Sequence, residues 1–420
     1  MTPFWARGGH LADGRRVDLH LADARISEIS PRASEILDDV DLTGFLVLPA
    51  PVEPHAHLDK AYTADLVGAT RNDLARATGA DLSAAVEAWL AYRPTVPEAE
   101  IAVRATTAVR AYVANGVTAL RSHVDIGEDV GVRGLAALCA VRDALAAECE
   151  IQIVAFPSVP LTGTAGANNR AWLREALAQG ADVVGGCPAR DPDPAACIAV
   201  LVSIAAEAGV PIDLHIDEHL DAEPDTLSLL TDVVIGTAFP HRVVASHCVS
   251  LGMAAPERAH TVADRLAAAG IAVISLPHTN LYLQGRDHPA AVPRGLTALR
   301  ILREAGVIVA AGGDNLQDPF NCLGRADPLE TAALLVLAGH DSPEAAYSSI
   351  SAAARVALGL SSVDIAVGAP AELLAIRAAN VREAIATGSP DRVVVHAGRV
   401  VARTTTTRQY LTLSPQEVNA

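Results

Sequence analysis

The sequence predicts an α/β fold: a (β/α)8 TIM barrel with a small β-sandwich domain formed from both termini. Three observations lead there. The middle of the chain alternates short apolar strands with stretches of helical period, both ends carry β texture, and polar residues recur where the middle strands stop. At the amino end, Arg15–Leu21 and Ala24–Ile29 alternate apolar and polar residues at period two. At the carboxyl end, Leu373–Ile376 and Val393–Val401 are apolar, largely β-branched runs separated by turn residues. One β domain from residues 1–48 plus 368–420, with residues 49–367 inserted between them as a catalytic barrel, accounts for both.

Eight strand ends follow in order: Val47-Leu48-Pro49 running to His57, Val117–Asp125, Ile151–Ser158, Ala181–Pro188, Pro211–Asp217, Arg242–Cys248, Ile271–Pro277 and Val307–Asn315. Between them, stretches such as Ala171–Leu177 and Thr297–Arg303 carry the helical period, and Gly180, Gly270 and Gly306 stand where helices should stop. Eight such units in one run predict a closed barrel, whose chemistry sits at the carboxyl ends of its strands.

Composition narrows the partners. The chain has 420 residues, half of them hydrophobic, enough for a large core. With 32 basic against 49 acidic residues, its formal charge of −17 offers no basic patch for nucleic acid or an anionic membrane. No apolar run reaches the ~18 residues of a membrane span, and Met1–Arg7 lacks a signal-peptide pattern. Six cysteines at 139, 149, 187, 197, 248 and 322 form no C-x-x-C pair and read as reduced, mostly buried thiols. A cytoplasmic location is the expectation.

The strand ends gather His55 and His57, His123 and Asp125, His215 with Glu218, His247, and Asp314. His55-Ala56-His57 is an H-x-H pair, and residues i and i+2 of a strand face one side, so both rings can reach one ion. His215-Ile216-Asp217-Glu218-His219 has the spelling H-x-x-E-H of a metallopeptidase helix. Val210–His215, however, alternates like a strand entered through Pro211. Extended, His215 and His219 stand roughly 13 Å apart at ~3.3 Å per residue. His215 is therefore read as a ligand, Glu218 as a carboxylate just beyond the strand, and His219 as peripheral. His247 becomes a catalytic hydrogen-bonder, and Asp314 a carboxylate able to touch both metal and water.

Three imidazoles, one carboxylate and an open position suit one divalent ion that activates water. Binuclear sites of this kind bridge their metals with a carboxylated lysine from a middle strand. The only lysine is Lys60, just after the first strand, so a mononuclear site is expected, with Zn2+ or Fe2+ as the ion.

The ordered set of motifs resembles the amidohydrolase superfamily, and within it the cytosine-deaminase-like branch. It comprises Pro54–Lys60, Arg121–Asp125, Val154–Pro157, His215–Glu218, Ser246-His247, Asn280–Arg286, Arg294-Gly295, and Gly313-Asp314 with Asp318-Pro319. Val367–Leu374 looks like part of the β-sandwich such enzymes carry. The resemblance implies that His55, His57, His215 and Asp314 bind the metal. It also implies that Glu218 shuttles a proton to the ring and leaving amine, His247 contacts the attacked centre, and Asp314 takes the proton of the attacking water. Cytosine deaminases carry a glutamine where Ser158 stands, and usually an aspartate and a tryptophan where Asn315 and Phe320 stand. Those three positions and Lys60 are the expected substrate contacts, and the shorter Ser158 argues against cytosine itself.

The expected activity is hydrolytic deamination of a small amino-substituted nitrogen heterocycle: a pyrimidine, a triazine or a related cyclic amidine. The alternative is an amidohydrolase that opens a cyclic amide or releases an alkylamine with the same groups. A non-catalytic relative is the third reading, and the full ligand set speaks against it. A homo-oligomer is expected by analogy alone.

Overall fold

Terminal segments build the first sheet. The computed structural model describes residues 3–31, 40–67, 82–223 and 225–409. Parts of the expected terminal domain (1–2, 32–39 and 410–420) and of the expected barrel segment (68–81 and 224) lie outside them. Strands β1 (Phe4–His10), β2 (Arg16–Ala22), β3 (Arg25–Ser30), β4 (Val40–Asp41) and β5 (Leu46–Pro49) come from the amino end. The eight strands β6 (Val52–Ala56), β7 (Ala119–Ile126), β8 (Glu150–Pro157), β9 (Val183–Gly186), β10 (Ile212–Ile216), β11 (Val243–His247), β12 (Ala272–Ser275) and β13 (Val309–Ala311) follow. Then β14 (Leu373–Ile376), β15 (Arg392–His396) and β16 (Arg399–Thr404) rejoin the first sheet.

Its order is β16-β15-β14-β5-β1-β2-β3, with β4 beside β1. β14 runs antiparallel to β5, with Leu374 opposite Leu48. Leu19, Leu21 and Ile26 from one side of this order share a buried core with Leu373, Val393 and Val395 from the other. Strands far apart in the sheet therefore fold face to face, as a sandwich does.

The second sheet is parallel and sequential from β6 to β13. An isolated parallel bridge, Ala56 to Asp314, joins its two ends, and the Asp314 amide donates to the His55 carbonyl at 3.0 Å. Helices such as Glu98–Ala114, Arg133–Leu145 and Pro194–Ala208 fill the crossovers. Gly270 ends the helix Pro256–Ala269 at φ +66°, a left-handed cap that costs glycine nothing. The helix Ala352–Leu358 closes the amino end of the barrel, where Ala354, Ala357 and Leu358 pack on Val52, Ala119, Val244 and Ala310.

One strand boundary differs from expectation. Val47-Leu48-Pro49 does not begin the barrel but is β5 of the terminal sheet, and the barrel strand starts at Val52. Pro51 has no amide to donate to a ladder, and the chain changes sheets across Ala50-Pro51. The remaining seven expected strand segments each overlap an observed strand to within a residue or contain it, although β9 and β13 are short.

Arg392 ties the sheets together. Almost fully buried, it donates to both oxygens of Asp327 at 3.0 and 2.7 Å and to the Asn115 carbonyl at 2.7 Å. Asp327 also accepts from the Leu329 amide at the start of the helix Pro328–Gly339. Asp327→Ala strands a buried guanidinium and removes a helix cap, so a loss of about 3 kcal/mol is expected. Thermal unfolding measures it, and a midpoint equal to that of the wild type would refute the role given to this pair.

Candidate active site at the carboxyl end of the barrel

The ends of β6, β10 and β11, with the turn after β13, point their polar side chains at one spot. His57 Nε2 lies 3.2 Å from His215 Nε2 and 3.4 Å from Asp314 Oδ1. His55 Nε2 is 3.7 Å from the same oxygen, and His247 Nε2 is 3.9 Å from Oδ2. His247 Nδ1 in turn faces Glu218 Oε1 at 3.4 Å. The structure thus brings together all four expected ligands and all three expected catalytic groups. His247 and Asp314 hold φ values of +72° and +64°. Left-handed backbone at non-glycine positions is costly, and here it aims both side chains into the centre.

Electrostatics match that convergence. Burial, followed by the neighbouring imidazoles, pushes His55 well below the ordinary histidine range. His57 and His215 shift the same way, burial again leading. All three are neutral, which leaves lone pairs available for a cation. Burial, then the Glu218 and Asp318 charges, pushes the Asp314 carboxyl well above the usual range. His55 Nε2, His57 Nδ1, His215 Nδ1, His247 Nε2 and Asp314 Oδ1 are buried without a hydrogen-bond partner among the described residues. Neutral imidazoles, a carboxylate and this many unsatisfied atoms fit a divalent cation.

His123 joins the cluster from β7. Its ring centroid is 4.0 Å from that of His55, and one ring nitrogen from each of His55, His123 and His215 falls within a 4.8 Å span. Among the described residues neither His123 nitrogen has a hydrogen-bond partner, and Nε2 stands 3.7 Å from Asp213 Oδ1. His219 lies outside the cluster, its Nδ1 2.9 Å from the Asp221 carbonyl.

A cavity of about 240 Å³ opens onto these groups, lined also by Lys60, Trp89, Arg93, Phe156, Cys187, Arg190, Asn315 and Phe320. Lys60 Nζ lies 5.4 Å from the Trp89 ring centre and 5.1 Å from that of Phe320, with Asp125 Oδ1 at 3.7 Å. Burial opposes the ammonium, but Asp125, Asp59 and Asp318 outweigh it and raise its pKa. Asn315 accepts from Thr279 and donates to Asp318, which fixes its amide. Burial pushes the Glu218 carboxyl up to about 8 against the lowering charges of Lys60 and Arg190.

Ser158 is placed apart from the other expected contacts. It lines an adjoining cavity of about 620 Å³ and accepts from Arg93 Nη2 at 2.8 Å. Arg93 borders both spaces and also binds Asp125 and Asp129. Trp89 and Arg93 come from a helix and turn whose sequence carries no metal or acid–base motif, and pattern reading passes over them. Asp213 offered a signal: two residues before His215 on one strand, it faces the same side.

None of the described helices is long and apolar enough to cross a membrane. Cys149, Cys197 and Cys248 are buried and unbridged, and Cys139, Cys187 and Cys322 are partly buried free thiols.

Residues 90–402 match the amidohydrolase family. A pterin deaminase of Rhizobium rhizogenes (strain K84 / ATCC BAA-868) is 31% identical over 395 residues, 92% of this chain and 88% of the relative. A Klebsiella pneumoniae 5-methylcytosine deaminase, solved with phosphonocytosine, superimposes with a TM-score of 0.87 at 26% identity, covering 98% of this chain and 100% of that one. The N-isopropylammelide isopropylaminohydrolase of Burkholderia multivorans ATCC 17616 gives 0.82 at 29% identity, covering 96% and 99%.

Proposed function

The chain belongs to the amidohydrolase family, in its cytosine-deaminase-like branch, and from that premise we propose that it hydrolytically deaminates a bicyclic amino-substituted nitrogen heterocycle of pteridine type. The observation that carries this reading is the meeting of Glu218, His247 and Asp314 with His57 and His215 at one cavity, with the buried His55 against Asp314. A 31% identical pterin deaminase supports the ring class. So does the second cavity beyond Arg93, which leaves room for more than a single six-membered ring.

His55, His57, His215 and Asp314 would hold one divalent ion, and their donor set suits zinc and iron(II) alike. When bound, such an ion supplies a Lewis acid that brings the pKa of water toward neutrality. Trp89, Phe156 and Phe320 give the ring apolar walls. Lys60, held between two aromatic faces, directs a cationic donor at a ring oxygen. Asp314 accepts the proton of the attacking water. Glu218, protonated in its buried setting, hands its proton to the ring nitrogen, and of the two protons of the attacking water one reaches the departing amine and the other re-protonates Glu218. His247 donates a hydrogen bond to the centre under attack. Water adds at carbon, the C–N bond breaks, and ammonia leaves.

A second reading has its own support. Leu82, Val86 and Leu90 line the same cavity and would accommodate an alkyl group, so release of an alkylamine from a triazine ring uses the same residues. Ammonia measured over aminopteridines, aminopyrimidines, aminotriazines and N-alkylaminotriazines separates the two. Ammonia from the aminopteridines is expected. Alkylamine release with no ammonia from any member would overturn the first reading in favour of the second.

A further inference from the structure

His55 and His247 both present Nε2 to Asp314, and a suitable nitrogen or oxygen from each of the three falls within a 4.8 Å span. On position alone, His247 is as good a ligand as His55. Their far nitrogens differ. We propose that two buried side chains set these imidazoles in opposite tautomers, so that His55 is a metal ligand through Nε2 while His247 is barred from that role and donates through Nε2–H. The inference rests on the reading of this site as a metal-dependent hydrolase.

For His55 the determinant lies beneath the ring. Nδ1 stands 2.9 Å from Ser246 Oγ, and Ser246 Oγ donates to Asp213 Oδ1 at 2.8 Å. A hydroxyl has one proton, and this one is spent on the carboxylate. Asp213 is held as an anion, because Arg121 Nη1 donates to its other oxygen at 2.8 Å. Arg121 is itself buried and anchored on Gln152 Oε1 and the Leu358 carbonyl. Ser246 Oγ must therefore accept from His55 Nδ1–H. The lone pair of His55 is left on Nε2, a buried atom with no hydrogen-bond partner among the described residues.

For His247 the determinant lies above. Asn280 Nδ2 is 3.2 Å from His247 Nδ1 and 3.4 Å from Glu218 Oε1, and Asn280 is only 1% exposed. An amide nitrogen donates and never accepts, so His247 Nδ1 is the acceptor and the ring proton sits on Nε2. In the reversed amide, Oδ1 would accept from His247 Nδ1–H and from the protonated Glu218, and that opposite tautomer is the outcome the spectra below would expose. Ser246 and Asn280 are thus positioning residues, acting through the histidines they address.

Long-range 1H–15N correlation spectra of the zinc-loaded, histidine-labelled protein test this directly. A protonated Nδ1 on His55 and an unprotonated Nδ1 on His247 are expected, and a protonated His247 Nδ1 would overturn the proposal. Variants give a second reading. Ser246→Ala is expected to weaken zinc binding in chelator competition by about 10- to 100-fold, with Ser246→Thr restoring it. Asn280→Ala is expected to leave zinc binding unchanged and lower kcat by about 100-fold. Zinc binding lost equally in Ser246→Ala and Asn280→Ala would make His247 a ligand and refute the sorting. None of the spectra or zinc measurements needs a substrate, so inactivity toward every heterocycle would count against the proposed reaction alone.

Discussion

Glu218→Gln is expected to lower kcat by about 10³-fold while the metal content of the protein stays at the wild-type level. Glutamine has nearly the same shape and keeps the contact with Asn280, 3.4 Å from Oε1 in the wild type. What it loses is a titratable proton. Glu218 is the carboxyl that burial pushes up to about 8, and it sits beside His247 rather than among His55, His57 and His215. Steady-state kinetics and metal analysis on one preparation check both halves. Turnover within a few-fold of wild type would remove Glu218 from the reaction, and loss of the metal would make it a ligand.

The second large effect concerns the ion. His215→Ala is expected to abolish binding of the divalent ion and drop activity to background, because His215 Nε2 stands 3.2 Å from His57 Nε2, which itself faces Asp314 Oδ1 at 3.4 Å. A chelator should silence the wild type in the same way. Zinc or iron(II) should then restore the wild type and leave His215→Ala inactive. The ion-free wild type should also unfold at a lower temperature, since an ion that binds only the folded chain stabilises it. Full activity after exhaustive chelation would refute a metal-dependent mechanism.

How much of this could be read from the sequence varies with the physics of each feature. The barrel was legible because short apolar strands and stretches of helical period alternate eight times over, with glycines such as Gly180, Gly270 and Gly306 marking helix ends. His55 and His57 were legible because strand geometry alone puts positions i and i+2 on one face. The break between β5 and β6 was not, since Val47 and Val52 are both apolar strand formers and only pairing with Leu373–Ile376 separates them. Arg93 and Trp89 were invisible for a similar reason. Their roles come from contact with Asp125, more than thirty residues away, and no local pattern encodes that. Ser158 was reached through a motif position, yet Arg93 draws its hydroxyl toward the adjoining cavity.

The pairing of β5 with β14 has a consequence for how the chain is made. Leu46–Pro49 emerges from the ribosome early, but its antiparallel partner is synthesised more than three hundred residues later. Until then the edge of β5 has no partner on that side, and the apolar face it shares with β14 and β15 stays incomplete. Contacts so distant in sequence form slowly, because a long loop must close before they repay its entropy. Completion of the terminal sheet is therefore a late event of biosynthesis, and a nascent chain halted before residue 373 carries an open strand exposed to neighbouring chains.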